Sequence, residues 1–388
     1  MRTVIGVKRK TLGIIVVLAL LLTSLTAVSA GATLADRGGV RSIVVFKPGA
    51  NAPAGEAIGR LGGVKLRSLP LVNGAVFMLP EVAAERAVRG LTGVEYVERD
   101  ALVYAVKKPT PAPAAEIVPA NMYQIEADQV WDENTGDGVK VAIVDTGIDV
   151  KHSDLTVAGG VSEVVYTGSY ADDNGHGTHV AGIVAALDNT IGVVGVGSDI
   201  DLYAVKVLNR KGSGYTSDII AGLEWCNNND IDVVNMSLGS SVYVQSFQDA
   251  CTTLYESGTV IVAAAGNTGT LQSFYPAAYA GVVGVGAVDS VNAIASFSTY
   301  GPHVDLVAPG VNIYSTYKGD RYATMSGTSM AAPHVAGVAA LVIKADTDGW
   351  DPDEIVSHLQ SSALDLGSAD KDVLYGYGLV QAADAVLQ

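Results

Sequence analysis

The 388-residue sequence predicts an α/β protein built on a parallel sheet covered on both faces. Three observations carry this. From about residue 139 onward, short continuous apolar strands alternate with helix-length segments, and such strands belong to sheets buried on both sides. A hydrophobic fraction of 49%, a charged fraction of 16% and 44 Gly exclude a coiled coil or a charge-rich disordered chain. Two Cys, neither in a CxxC pair, exclude a disulfide scaffold and a Cys-rich zinc site. The length leaves room for two or three domains and a sizeable core.

Residues 1–30 read as an export signal. Arg2, Lys8, Arg9 and Lys10 precede an apolar run from Leu12 to about Leu25, and Val28-Ser29-Ala30 offers small residues to a signal peptidase. The run is short for a bilayer span, so a secreted, extracellular protein is expected. Lys8-Arg9-Lys10 is no twin arginine, which favours the general secretory route. Strands are expected at 41–46, 74–79 and 94–97, with helices at 52–61 and 81–91, giving a β-α-β-α-β order. The Pro/Ala stretch at 107–115 reads as an exposed, protease-accessible linker.

Beyond the linker, strands are expected at 139–144, 202–208, 233–238, 260–265 and 282–288. Helices are expected at 178–187, 217–228 and 246–257, then a nearly uncharged, buried one at 330–344 and two more to close the chain. The charge divides with the domains. Residues 1–114 hold 15 of the 24 Lys+Arg and 7 of the 40 Asp+Glu, leaving 9 basic and 33 acidic residues for 115–388. Such an acidic body argues against nucleic acid or an anionic membrane as partner.

In an open parallel sheet, sites form beyond the carboxyl ends of the strands. Three segments sit there. Asp145 ends the first strand in Val-Ala-Ile-Val-Asp-Thr-Gly, His176 opens a helix in Asn-Gly-His-Gly-Thr-His, and Ser329 opens the buried helix in Gly-Thr-Ser-Met-Ala-Ala-Pro-His. A serine hydroxyl becomes a nucleophile when a base takes its proton, and histidine does so near neutral pH. A buried carboxylate fixes the imidazole tautomer and stabilises the imidazolium. His176 and His179 compete for the role of base on the residues alone.

With these blocks in the order Asp, His, Ser, residues 115–388 resemble the subtilisin-like serine proteases, the subtilases, whose catalytic residues follow that chain order. The resemblance implies a three-layer α/β fold with a mainly parallel seven-stranded sheet and endopeptidase activity on proteins or peptides. It assigns Asp145, His176 and Ser329 to the catalytic triad and makes His179 structural. Residues 31–114 resemble the family's propeptide, a small α+β chaperone and inhibitor, most clearly in Val94-Glu95-Tyr96-Val97-Glu98-Arg99-Asp100. The implied product is a self-processing proenzyme, cut between Val106 and Glu116 to release a monomer that binds no membrane.

The same resemblance assigns the oxyanion donors to the Asn267 side chain and the Ser329 backbone N–H, fixed in advance where negative charge develops. Substrate is expected as an added strand between Gly212-Ser213-Gly214 and Ser237-Leu238-Gly239. Ala264-Ala265-Gly266 is the implied wall of the pocket for P1, the residue on the acyl side of the scissile bond, and Phe274 is implied at its base. Thr268 stands where some relatives carry an acid, so no strong basic preference is implied.

Structural Ca2+ is the implied cofactor, since it takes six to eight oxygen ligands. The ligand set carried over comprises the carbonyls of Leu187, Ile191 and Val193 and the side chains of Asn189, Asp154 and Glu116. Glu116 stands where relatives often have Gln. Cys226 and Cys251 lie on successive expected helices, and their pairing depends on a separation the sequence does not give.

Other classes fit less well. Gly192-Val-Val-Gly195-Val-Gly197 and Gly281-Val-Val-Gly284-Val-Gly286 lack the dinucleotide-binding order opening a helix. Asp145-Thr146-Gly147 resembles an aspartic-protease motif but has no second copy. A catalytically inactive homologue acting as a binding protein would usually lack one triad residue, and none is missing.

Overall fold

The computed structural model describes residues 39–80, 82–104 and 115–387. The expected export segment and nearly all of the Pro/Ala stretch lie outside the described residues. The chain divides into two compact units, one ending at Asp100 and the other running from Ala101 to Gln388.

In the first unit, β1 (Val40–Phe46), α1 (Asn51–Arg60), β2 (Val64–Leu69), β3 (Gly74–Leu79), α2 (Val82–Arg89) and β4 (Val94–Arg99) follow in order. The strands form an antiparallel sheet ordered β2-β3-β1-β4. Val44, Phe46, Ile58, Phe77, Leu79 and Val97 form its core. Strand β2 departs from the expected order. Its sequence Val-Lys-Leu-Arg-Ser-Leu has no apolar run because it lies at the sheet edge, where charged side chains discourage pairing with other chains.

The second unit opens with β5 (Leu102–Tyr104), α3 (Ala120–Gln124), β6 (Lys140–Asp145), β7 (Val157–Ser162), α4 (His176–Ala185) and β8 (Asp201–Lys206). It continues with β9 (Ser213–Tyr215), α5 (Thr216–Asn228), β10 (Val233–Met236), α6 (Gln245–Glu256), β11 (Val260–Ala264), β12 (Val283–Val288) and β13 (Leu306–Pro309). The hairpin β14 (Ile313–Tyr317) and β15 (Arg321–Met325) precedes α7 (Thr328–Ala345), α8 (Pro352–Ser361) and α9 (Ala382–Leu387).

Seven strands form one sheet ordered β13-β12-β11-β10-β6-β8-β7, with every neighbouring pair parallel. The expected seven-stranded α/β fold is present. From β6 the chain fills one side of the sheet with β7 and β8, then crosses to the other with β10. A crevice opens at such a reversal, beyond the carboxyl ends, and Asp145 ends β6 there. The two strands of this sheet not foreseen, β7 and β13, are its edges. β7 is interrupted by Gly159-Gly160, and β13 is four residues ending in Pro309, a residue tolerated only where no ladder donor is needed.

Helix α7 is long and apolar enough to cross a membrane, yet it is mostly buried inside the fold. Its small residues let it lie against α4 and strands β10 to β13. Pro333 sits inside it and has no N–H to give the carbonyl four residues back, which is that of Ser329.

Candidate active site

Asp145 is fully buried, and its Oδ1 accepts the Thr146 N–H at 2.6 Å. Beside it, His176 begins α4. Its Nδ1 lies 2.9 and 2.8 Å from the two carboxylate oxygens of Asp145. That contact fixes the ring, and Nε2, buried, has no hydrogen-bond partner among the described residues.

Two charged residues not foreseen from the sequence support this pair. Asp172 accepts from the Thr146 hydroxyl at 2.9 Å, the Thr178 hydroxyl at 2.6 Å, and the N–H groups of Asn174, Gly175 and Thr178. It thereby ties the start of α4 to the residue after Asp145. Burial pushes its carboxyl above the ordinary range, and these donors oppose that shift. Lys206, also fully buried, donates to the carbonyls of Thr146 and Leu208 and to Asp173 Oδ1. The available signals were small: an aspartate four residues ahead of a helix, and one lysine in an apolar strand.

Ser329 is the second residue of α7, which packs against α4. Its Oγ donates to the Ser237 carbonyl at 3.2 Å, and the Ser237 hydroxyl donates to the Ser329 carbonyl at 2.8 Å. The latter carbonyl is the one Pro333 leaves free. Asn267, just beyond β11, accepts the Thr328 N–H at 2.8 Å and the Thr328 hydroxyl at 3.1 Å through Oδ1. Thr328 Oγ1 in turn accepts the Gly266 N–H at 3.1 Å. The Asn267 amide is therefore held from its oxygen side, leaving Nδ2 to point elsewhere.

Strand β5 lies on the two expected substrate segments. Val103 pairs with Gly214 and Tyr104 with Ser213, antiparallel, while Tyr104 also bridges Gly239. Gly212, with φ of 74°, turns the chain into β9. Val103 is 2% exposed, against 43% for Leu102 and 58% for Tyr104.

Known proteins resemble the chain over most of its length. Residues 136–378 match the subtilase family. A "Thermostable alkaline protease" of Halalkalibacterium halodurans is 45% identical over 308 residues, covering 79% of this chain and 83% of its own. An "Alkaline protease" of Alkalihalobacillus alcalophilus is 47% identical over 293 residues, covering 75% and 74%. "Subtilisin Savinase" of Lederbergia lenta is 49% identical over 272 residues, covering 70% and 99%. The chain belongs to the subtilase family. It is a subtilisin-like serine endopeptidase, and its substrates are proteins.

In this subtilase the two histidines of α4 have different surroundings. His179 Nε2 reaches the carbonyls of Ile313 and Ala323 on the β14–β15 hairpin at 3.2 and 3.0 Å. Burial pushes its pKa down to about 3. His334 bonds Met330 O and Asn121 Nδ2, both at 2.8 Å, and burial pushes it down to about 4. His152 and His358 bond the carbonyls of Arg321 and Ala385.

The residues expected to hold calcium converge in the protease. Asp154 Oδ1 accepts from Asn189 Nδ2 at 2.8 Å and its Oδ2 from the Val193 N–H at 3.0 Å, while Glu116 Oε1 accepts the Asn189 N–H. Burial raises the pKa of both acids, and Asp188 and Asp154 add repulsion at Glu116. A cation would relieve that repulsion. The oxygen-rich donor set fits Ca2+, with the Asn189 amide turned over to present Oδ1. The carbonyls of Leu187, Ile191 and Val193 accept no backbone hydrogen bond among the described residues. Cys226 and Cys251 are both buried and unbridged, and burial raises both thiol pKa values.

Proposed function

We propose that Asp145, His176 and Ser329 form the catalytic triad of a secreted, self-processing endopeptidase. The observation that carries this is the His176–Asp145 contact, with Nδ1 engaged at 2.8 Å and Nε2 left open. Rotation of Ser329 Oγ from the Ser237 carbonyl onto Nε2 completes the triad, and such bonds often tighten only when substrate arrives. His176 then takes the hydroxyl proton as Oγ attacks the scissile carbonyl, Asp145 stabilises the imidazolium, and the proton passes to the leaving amine. The acyl-enzyme is hydrolysed by water through the same base.

The tetrahedral oxyanion is held by Asn267 Nδ2 and the Ser329 N–H, at the positive end of α7. Substrate backbone pairs with Gly212-Ser213-Gly214 and Ser237-Leu238-Gly239, and its P1 side chain faces Ala264-Ala265-Gly266. Strand β5 supports this, since it adds to both segments as a substrate would. Residues 31–114 act as propeptide and inhibitor, and residues 1–30 direct export. Glu116, Asp154 and Asn189 with the carbonyls of Leu187, Ile191 and Val193 would hold Ca2+, which would stabilise the loop and supply no chemistry to the reaction.

Expression of Ser329→Ala alone tests the proposal. It should accumulate as an unprocessed chain, and a fluorophosphonate should label only Ser329 in the wild type. Normal maturation of the variant, or labelling elsewhere, would refute it.

A further inference from the structure

We propose that Phe274 closes the P1 pocket, making this protease selective for alanine, glycine and serine on the acyl side of the bond it cuts. The inference rests on the proposed site and adds its substrate class. The proposed P1 pocket has two walls, Ser237-Leu238-Gly239 and Ala264-Ala265-Gly266. Both are fixed to the start of α7: Ser237 O accepts from Ser329 Oγ at 3.2 Å, and Asn267, next to Gly266, accepts from Thr328 N at 2.8 Å.

The Phe274 ring touches both walls at their glycines. A Cβ placed on Gly239 would lie 2.5 Å from Phe274 Cε1 and 3.1 Å from Cδ1. One placed on Gly266 would lie 2.7 Å from Cγ and 3.0 Å from Cδ1. Real Cβ contacts are not that short, so the bare backbone of both walls admits the ring. A ring in contact with both walls occupies the width that an aromatic substrate side chain would need. The same Cβ on Gly266 would also lie 2.8 Å from Thr299 Oγ1, so the ring and this hydroxyl share the space beside that glycine.

The backbone around Phe274 is also anchored. Tyr275 N donates to Ser240 O at 2.8 Å, Ser240 N returns a bond to Tyr275 O at 2.9 Å, and Ala278 N donates to Phe274 O at 2.9 Å. The segment carrying the ring is thus hydrogen-bonded to the wall beside Gly239. The ring is half-buried, as expected of a group forming the floor of an open cleft. A methyl or hydroxymethyl side chain fits above it, whereas a leucyl or benzyl side chain meets it.

The test is a series of succinyl-Ala-Ala-Pro-X-p-nitroanilides, with X as Ala, Leu or Phe, on the mature enzyme. We expect kcat/KM for Ala to exceed that for Phe by at least about 10-fold, since one misfitted methylene already costs that much. Phe274→Gly should move the Phe/Ala ratio upward by about 100-fold, and Phe274→Leu by less. Circular dichroism checks folding; should the glycine variant fail it, the wild-type and leucine ratios decide. Faster wild-type turnover of Phe than Ala, or ratios within about threefold across the variants, would overturn the inference. Either result with Ser329 labelled by fluorophosphonate leaves the triad standing. Absence of both turnover and labelling overturns the triad and the pocket together.

Discussion

The buried valine of β5 gives a quantitative test of how the cleft is filled. Val103 is 2% exposed, while Leu102 and Tyr104 on either side remain 43% and 58% exposed. This is the alternation of a strand lying on a surface. Val103→Ala removes two buried carbons, at about 0.8 kcal/mol each, so inhibition by added residues 31–106 should weaken by about 1.6 kcal/mol. That is roughly 15-fold in the inhibition constant. Leu102→Ala and Tyr104→Ala keep the main-chain pairing with β9 and lose little buried area, so each should change inhibition by less than about threefold. Progress curves of peptide hydrolysis with each purified propeptide give the constants. Equal losses for all three variants, or none for Val103→Ala, would mean that β5 does not dock through this side chain.

Two further perturbations follow from buried titrating groups. His179 and His334 are held down to about 3 and about 4 by burial, so stability present above the unfolded value near 6.5 is lost as pH falls toward those values. From pH 7 to 5 each contributes a loss of about 2 kcal/mol, and in a Ser329→Ala background His334→Gln should remove about half of the pair's pH dependence. Urea titrations at both pH values measure it, and an unaltered dependence would refute the buried neutral imidazole. For calcium, saturation near 100 times the dissociation constant adds about 2.7 kcal/mol. Chelation should therefore lower Tm by about 5–10 °C, and Asp154→Asn should blunt the response. Because burial raises the pKa of Glu116 and Asp154 in the metal-free fold, the folded state binds more protons and its stability falls as pH rises through that window. The chelator effect should accordingly shrink on acidification. A midpoint indifferent to chelator at matched ionic strength would count against the site.

The class of the protein was legible without its structure. Three glycine-flanked blocks carry Asp145, His176 and Ser329 in that order, and they stand out because strand ends and helix starts have local signatures. The apolar runs of the inner strands were legible for the same reason, being buried on both faces. Edges were not: β2, β7 and β13 are short, charged or broken by glycine, since an edge strand is only partly covered. Tertiary contacts were needed to separate His176 from His179. They stand three residues apart on one helix, and only the distant neighbours differ, Asp145 for one and the carbonyls of Ile313 and Ala323 for the other. The same kind of contact ties Asp172 and the buried Lys206 to Thr146, lays β5 between Ser213 and Gly239, and sets the Phe274 ring against Gly239 and Gly266. Each joins side chains or strands far apart in the chain, and local periodicity carries no information about which distant surfaces the packed sheet and helices bring together.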